Sequence, residues 1–189
     1  GTVVIWEKVD RAIKEYQSPT GSAARRALTK LKERLEFHIS LVYQKYLDPN
    51  VSEWSTLSID LNGNAIHAWD PFCTAEEDTE LLAEDKQPVY DENDNSVGEF
   101  TIKAYALPNK FSFSSVEARQ NARLGNSMQG FYIYRHGRLI HNGSWLGLFT
   151  QEPHGSLHRV EFCSDHNLDE AFQLDIKKSR ILLRMKLIF

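Results

Sequence analysis

The sequence predicts an α+β domain: a mixed, largely antiparallel sheet with helices on one face. Three observations carry this. From about Ala23 to Leu47, apolar residues recur at steps of three and four: Leu28, Leu31, Leu35, Ile39, Val42 and Tyr46. That spacing lays one apolar stripe along a helix. Beyond it, short runs alternate polar and apolar residues, the period of half-buried strands. Turn signals such as Asn62-Gly63-Asn64 and His136-Gly137 separate the runs, so neighbouring strands return as hairpins. One helix followed by many hairpins is the element order of an α+β fold.

Composition sets the outer bounds. The chain has 189 residues, 41% hydrophobic and 25% charged, enough for one good core. Its net charge of -4 gives no global basic field for nucleic acid, so any anion site must be local. No apolar run approaches the roughly 18 residues of a membrane span, and no signal-peptide pattern opens the chain. Cys73 and Cys163 sit in ordinary apolar contexts. The expectation is a reduced, cytoplasmic setting with no membrane partner. Gly1-Thr2-Val3-Val4-Ile5-Trp6 reads as a strand, and Ile181 to Phe189 is apolar. Natural termini are usually more polar, so the sequence reads as a piece of a longer protein.

In chain order, Ser18-Pro19-Thr20-Gly21-Ser22 is loop chemistry ahead of the helix, and Asp48-Pro49-Asn50 stops it. Lys30, Lys32, Glu33 and Arg34 lie largely off the apolar stripe, so the helix is expected to rest on a sheet. Trp54 to Leu61 is expected as a strand, with Leu57, Ile59 and Leu61 on one face, and Ala65 to Trp69 as its return. Ala75 to Asp85 holds six carboxylates and reads as a solvated acidic face or loop. Gln87 to Tyr90 and Gly98 to Leu107 form a further expected hairpin. Its connection carries Asp91, Asn93 and Asn95 at calcium-loop spacing. The glycine and distal glutamate of such a loop are misplaced, which leaves a polar turn. Asn109 to Gln129 reads as a loop with a helical turn around Val116 to Arg123. Gly130 to Tyr134, Arg138 to Ile140 and Leu157 to Cys163 are the remaining strands, and Trp145 to Phe149 is expected to pack on the sheet.

Three constellations bear on chemistry. Gln173-Leu174-Asp175-Ile176-Lys177-Lys178-Ser179-Arg180-Ile181 reads as a short strand running into a strongly basic turn. It is either a solvated turn or a phosphate contact, since a lysine at a strand end acts as a point charge on a phosphate. Arg119, Arg123, Arg135 and Arg138 flank the strand that holds Tyr132 and Tyr134. They form either an arginine-and-aromatic nucleic-acid surface or surface arginines around core aromatics. His154, His158, Cys163 and His166 are metal-ligand types, but their spacing fits no zinc pattern, so no metal site is assigned. There is no Gly-X-Ser-X-Gly, His-Glu-X-X-His or Walker-type loop.

The order of these segments resembles one family. Gly1 to Trp6 looks like the last strand of a Bergerat-type (GHKL) ATPase domain, the fold shared by gyrase B, MutL and MORC proteins. Gly130 to Ile140 looks like the central hairpin of the transducer domain that follows it, and Leu157 to Ile181 like that domain's last strands and catalytic-lysine loop. The wording is most similar to bacterial MORC-like or chaperone-like ATP-binding proteins. The resemblance implies residues 1–20 as the end of an ATPase domain with its linker. It implies 21–189 as a C-terminally truncated transducer-like domain with a left-handed β-α-β crossover. It further implies that Lys178, or failing it Lys177, reaches the γ-phosphate of ATP held by the upstream domain, with Ser179 and Arg180 beside it. ATP and Mg2+ would then be cofactors of the parent protein and not of this piece. The partners implied are the upstream domain, a second copy and DNA. The acidic general base, the Asp-X-Gly-X-Gly segment and the glycine-rich lid of such an ATPase are missing from the chain, so it should not hydrolyse ATP alone. The alternative is a non-catalytic nucleic-acid-binding module using the Arg119 to Arg138 region.

Overall fold

The computed structural model describes Thr2, Ser18 and residues 20–90, 95–165, 168, 174–175 and 180–181. The expected strand at 3–6 lies outside the described residues. The chain divides into two compact units, Gly1–Ile39 and Ser40–Phe189. The first contains most of helix α1 (Ser22–Val42). The predicted helical span is therefore present, but it breaks at Tyr43 and resumes as a single turn, α2 (Gln44–Leu47). Leu28, Leu31 and Leu35 of the stripe are 42–43% exposed, so this part of it is not core among the described residues.

In the second unit, a small hairpin pairs β1 (Asp60–Leu61) with β2 (Asn64–Ala65). A five-stranded sheet follows. Its strands are β3 (Glu80–Tyr90), β4 (Ser96–Ala106), β5 (Gly130–Arg135), β6 (Arg138–Ser144) and β7 (His158–Ser164). Their order is β3-β4-β7-β5-β6. Every neighbouring pair is antiparallel except β5 with β7, so the sheet is mixed and largely antiparallel, as the sequence predicts. A short helix, α3 (Val116–Asn121), lies between β4 and β5, with Ser115 as its N-cap accepting from the Ala118 amide at 2.9 Å. The parallel pair is joined through β6 and the loop after it. The left-handed β-α-β crossover is not among the connections of the described residues.

The register sorts the sheet's side chains into two faces. Tyr105, Lys103 and Thr101 stand opposite Arg159, Glu161 and Cys163, which stand beside Gly130, Tyr132 and Tyr134. Phe72 covers this face, its ring 4.8 Å from Tyr105 and 5.5 Å from Tyr132. On the other face Phe100 stacks on Phe162 at 5.3 Å, and Trp145 meets Phe131 edge-on at 5.7 Å. That is the packing expected of the Trp145 segment, though Leu148 and Phe149 remain 51% and 67% exposed. β7 is central, and it buries side chains on both faces, Arg159 and Glu161 on one and Phe162 and Ser164 on the other.

The β5–β6 turn confirms its signal. His136 and Gly137 both have positive φ, 49° and 76°, the pattern of a type I′ hairpin turn. A Cβ on Gly137 would also lie 2.8 Å from the Trp54 ring.

One expected hairpin is corrected. Trp54 to Ile59 is not a strand, and only Asp60 and Leu61 pair. Trp54 packs instead on Tyr46 at 5.7 Å and on His136 at 4.6 Å, and the Leu57 amide donates to the Tyr46 carbonyl at 2.7 Å. These contacts hold the segment against α2 and the β5–β6 turn. Trp69 is likewise taken out of a ladder, its amide donating to the Ser40 carbonyl at 3.1 Å. Of the two readings of the acidic stretch, Glu80 to Asp85 takes the solvated face: it forms the exposed first half of β3. β3 is an edge strand with nearly every side chain exposed, so burial never penalises its charges. The same edge resists further pairing: Pro88 has no amide, and the Lys86 amide donates to the Asp85 carboxylate at 2.9 Å.

Candidate functional site

The basic segment that the sequence singles out is bracketed by a two-stranded ribbon. β8 (Leu174–Asp175) pairs antiparallel with β9 (Arg180–Ile181), Leu174 opposite Ile181 and Asp175 opposite Arg180. Lys177, Lys178 and Ser179 lie outside the described residues, as does the Arg180 side chain.

The four arginines of the nucleic-acid alternative are not brought together. Arg119 and Arg123 belong to α3 and the turn after it, beside the end of the sheet where Gly130 meets Arg159. Arg135 and Arg138 flank the β5–β6 turn, where Arg135 meets Ser164. Five residue steps of β5 separate the two ends, roughly 16 Å. Tyr132 and Tyr134 are 0% and 1% exposed and are core aromatics. Of the metal-ligand types, His154 pairs with Glu152 at 3.2 Å, and His158 and Cys163 alternate onto opposite faces of β7. His166 is outside the described residues. Among the described residues no three His, Cys, Asp or Glu side chains are placed to hold a metal ion.

What the sequence did not reveal is the charge buried on the inner face of β7. Lys45, from the single turn of α2, reaches Glu161 at 2.8 Å and donates to the Cys163 sulfur at 3.0 Å. Its ammonium also lies 4.7 Å from the centre of the Tyr134 ring. Burial lowers the Lys45 pKa, but Cys163 and Glu161 outweigh it and hold the group above the ordinary lysine value. Burial, reinforced by Glu161 and opposed by Lys45, pushes the Cys163 thiol up to about 12. At neutral pH this is an ammonium–carboxylate pair beside an intact thiol, a poor nucleophile. Tyr134 is raised by burial, and its hydroxyl donates to Gln44 at 3.3 Å.

At the other end of the strand Arg159 is fully buried. Its guanidinium donates to the carbonyls of Pro71, Ala122 (2.7 Å) and Arg123 (3.4 Å). The plane lies over Trp69 and Tyr132, at 5.6 and 5.8 Å. Its Nε has no partner among the described residues, and burial lowers its pKa. Arg159 thus pins the Asp70–Phe72 turn and the end of α3 to the central strand. A signal for both groups was present: Arg159, Glu161 and Cys163 share one face of a strand whose alternate residues, Val160 and Phe162, are apolar. Buried charge in such a strand requires a partner from another element.

A cleft of about 120 Å³ opens beside the Lys45 pair, with Trp54, Lys86, Glu99, Thr101 and Asp165 in its walls. Both its ammonium groups are already committed, Lys45 to Glu161 and Lys86 to Glu99 at 2.5 Å. Its chemistry is therefore that of closed ion pairs at the sheet's inner face. Fold and interior together define an α+β domain with a mixed five-stranded sheet and a charged, paired inner face. No family model, curated protein or solved structure matches the chain.

Proposed function

We propose that the chain is the transducer domain of a GHKL-type ATPase. It supplies Lys178 to the γ-phosphate of ATP bound in an upstream domain and couples nucleotide state to dimer closure. The observation that supports this reading is the β8–β9 ribbon: Leu174 pairs with Ile181 and Asp175 with Arg180, so both ends of the Lys177–Ser179 segment meet at one ribbon. A lysine carried there offsets charge developing on the transferred phosphoryl group and reports occupancy of the nucleotide site to the sheet. A mixed five-stranded sheet does not carry the reading by itself, because one fold hosts many functions. The nucleic-acid alternative is the weaker one, since its arginines divide between two ends of β5 and its tyrosines are buried. The test is steady-state ATP hydrolysis by the longer protein with Lys178→Ala. Loss of one preorganised contact should lower kcat by roughly tenfold to a thousandfold with the circular dichroism spectrum unchanged. An unchanged rate in both Lys178→Ala and Lys177→Ala refutes it.

A further inference from the structure

The loop after β4 displays the most exposed large apolar side chain among the described residues. Phe111 is 80% exposed and Val116, at the start of α3, 54%. Phe111 stands between two hollows of about 270 and 370 Å³. Lys110 and Arg119 are the charged residues that line them, and no carboxylate does. A third hollow, of about 490 Å³, adjoins this loop through Asn109 and Ser112. Its charged lining is of the opposite sign: Glu77, Asp78 and Glu80, with no cation. Next to it Leu81 and Leu82 are 50% and 53% exposed.

The two patches are fixed against each other. The Glu76 carboxylate accepts from the Ser114 amide at 2.7 Å and from the Ser114 hydroxyl at 2.8 Å. Asn109 accepts from the Phe111 and Ser112 amides at 3.2 and 2.8 Å. Exposure of Phe111 is therefore the product of a well-bonded loop. An interface of this kind loses little ordering entropy on association.

We infer that this face is the contact between two copies of the chain related by a two-fold axis. A two-fold interface brings the same patch of both copies together, so it must be self-complementary. Adjacent acidic and basic areas, each with exposed apolar side chains, meet that requirement: the acidic turn of each copy faces the Lys110–Arg119 side of the other, and Phe111 enters the apolar hollows. A phosphate backbone lying along Lys110 and Arg119 would run onto Glu77, Asp78 and Glu80, which disfavours nucleic acid as the occupant. The inference stands apart from the ATPase reading, because it uses no residue of the basic ribbon.

Sedimentation equilibrium of the full chain tests it with two charge-reversed variants, Lys110→Glu with Arg119→Glu, and Glu77→Lys with Asp78→Lys. The wild-type chain should form a dimer that weakens as salt rises. Each variant alone should dimerise at least about tenfold more weakly. Their equimolar mixture should recover the dimer, a result that misfolding of either variant cannot produce. Phe111→Ala should also weaken the dimer at least about tenfold. A chain that stays monomeric to about 100 μM, a dimer indifferent to both reversals, or loss of single-stranded oligonucleotide binding in Phe111→Ala without loss of dimer would each overturn it.

Discussion

Arg159→Met tests the pin at the centre of the sheet. Methionine keeps much of the stem's packing and removes the guanidinium, leaving the Pro71 and Ala122 carbonyls without their donor. Each hydrogen bond from a charged donor contributes about 1.5–3 kcal/mol, so the two close ones together contribute roughly 3–6 kcal/mol. Part of this is offset, because the charge is fully buried and no carboxylate pairs with it among the described residues, and releasing a buried charge is favourable. The net expected loss is about 3 kcal/mol. In a chain of this length that lowers Tm by roughly 6–12 °C. Urea unfolding followed by tryptophan fluorescence measures it: the midpoint should fall at constant slope. Arg159→Lys should fall between the two, since a single ammonium reaches fewer carbonyls. A loss below about 1 kcal/mol, or a gain, would refute the pin.

Gly137→Ala places a methyl 2.8 Å from the Trp54 ring at a φ of 76°. It should cost about 2 kcal/mol and shift the tryptophan emission. Lys45→Met leaves Glu161 buried without its cation and should cost about 3 kcal/mol, with Glu161→Gln in the same chain recovering more than half, read from the urea midpoint. Burial holds the His141 pKa below 6.5, while its Nε2 lies 2.7 Å from the Ser144 hydroxyl. The native state then binds fewer protons than the unfolded chain, so this contribution is fully present above the unfolded value and is lost as pH falls through the folded one. Comparing His141→Gln with wild type across pH 7 to 5, about where free histidine titrates, should show a flatter stability profile in the variant. Iodoacetamide at pH 8 should modify Cys163 about a thousandfold more slowly than a free thiol, in line with a pKa of about 12 against the ordinary 9.0.

Much of the fold could be read from short-range chemistry. The His136-Gly137 turn, the strands on either side of it and the helical turn at Val116 all follow from local pattern, and all are present. The failures share a cause in tertiary contacts that local pattern does not encode. Trp54 to Ile59 alternates like a strand, yet Trp54 is drawn to Tyr46 and His136. The charge of Glu80 to Asp85 marked it as solvated, which it is, but its place as an edge strand depends on pairing with β4. The inner-face charges were missed for a related reason: Lys45 and Glu161 lie far apart in sequence, and α2 must pack before they meet. The strand at Leu174–Asp175 was legible from its alternation, whereas Arg180, expected in the basic turn, pairs with Asp175 as part of β9.

The most direct measurement is of the lysines themselves. The longer protein would be acylated at its amines, with and without Mg2+ and a non-hydrolysable ATP analogue, and modification read at each lysine by mass spectrometry. Contact with the γ-phosphate should suppress acylation of Lys178 by at least about tenfold while Lys110 is modified equally in both states. Equal modification of Lys178 and Lys177 with and without nucleotide would contradict the transducer reading and leave the basic ribbon a solvated turn.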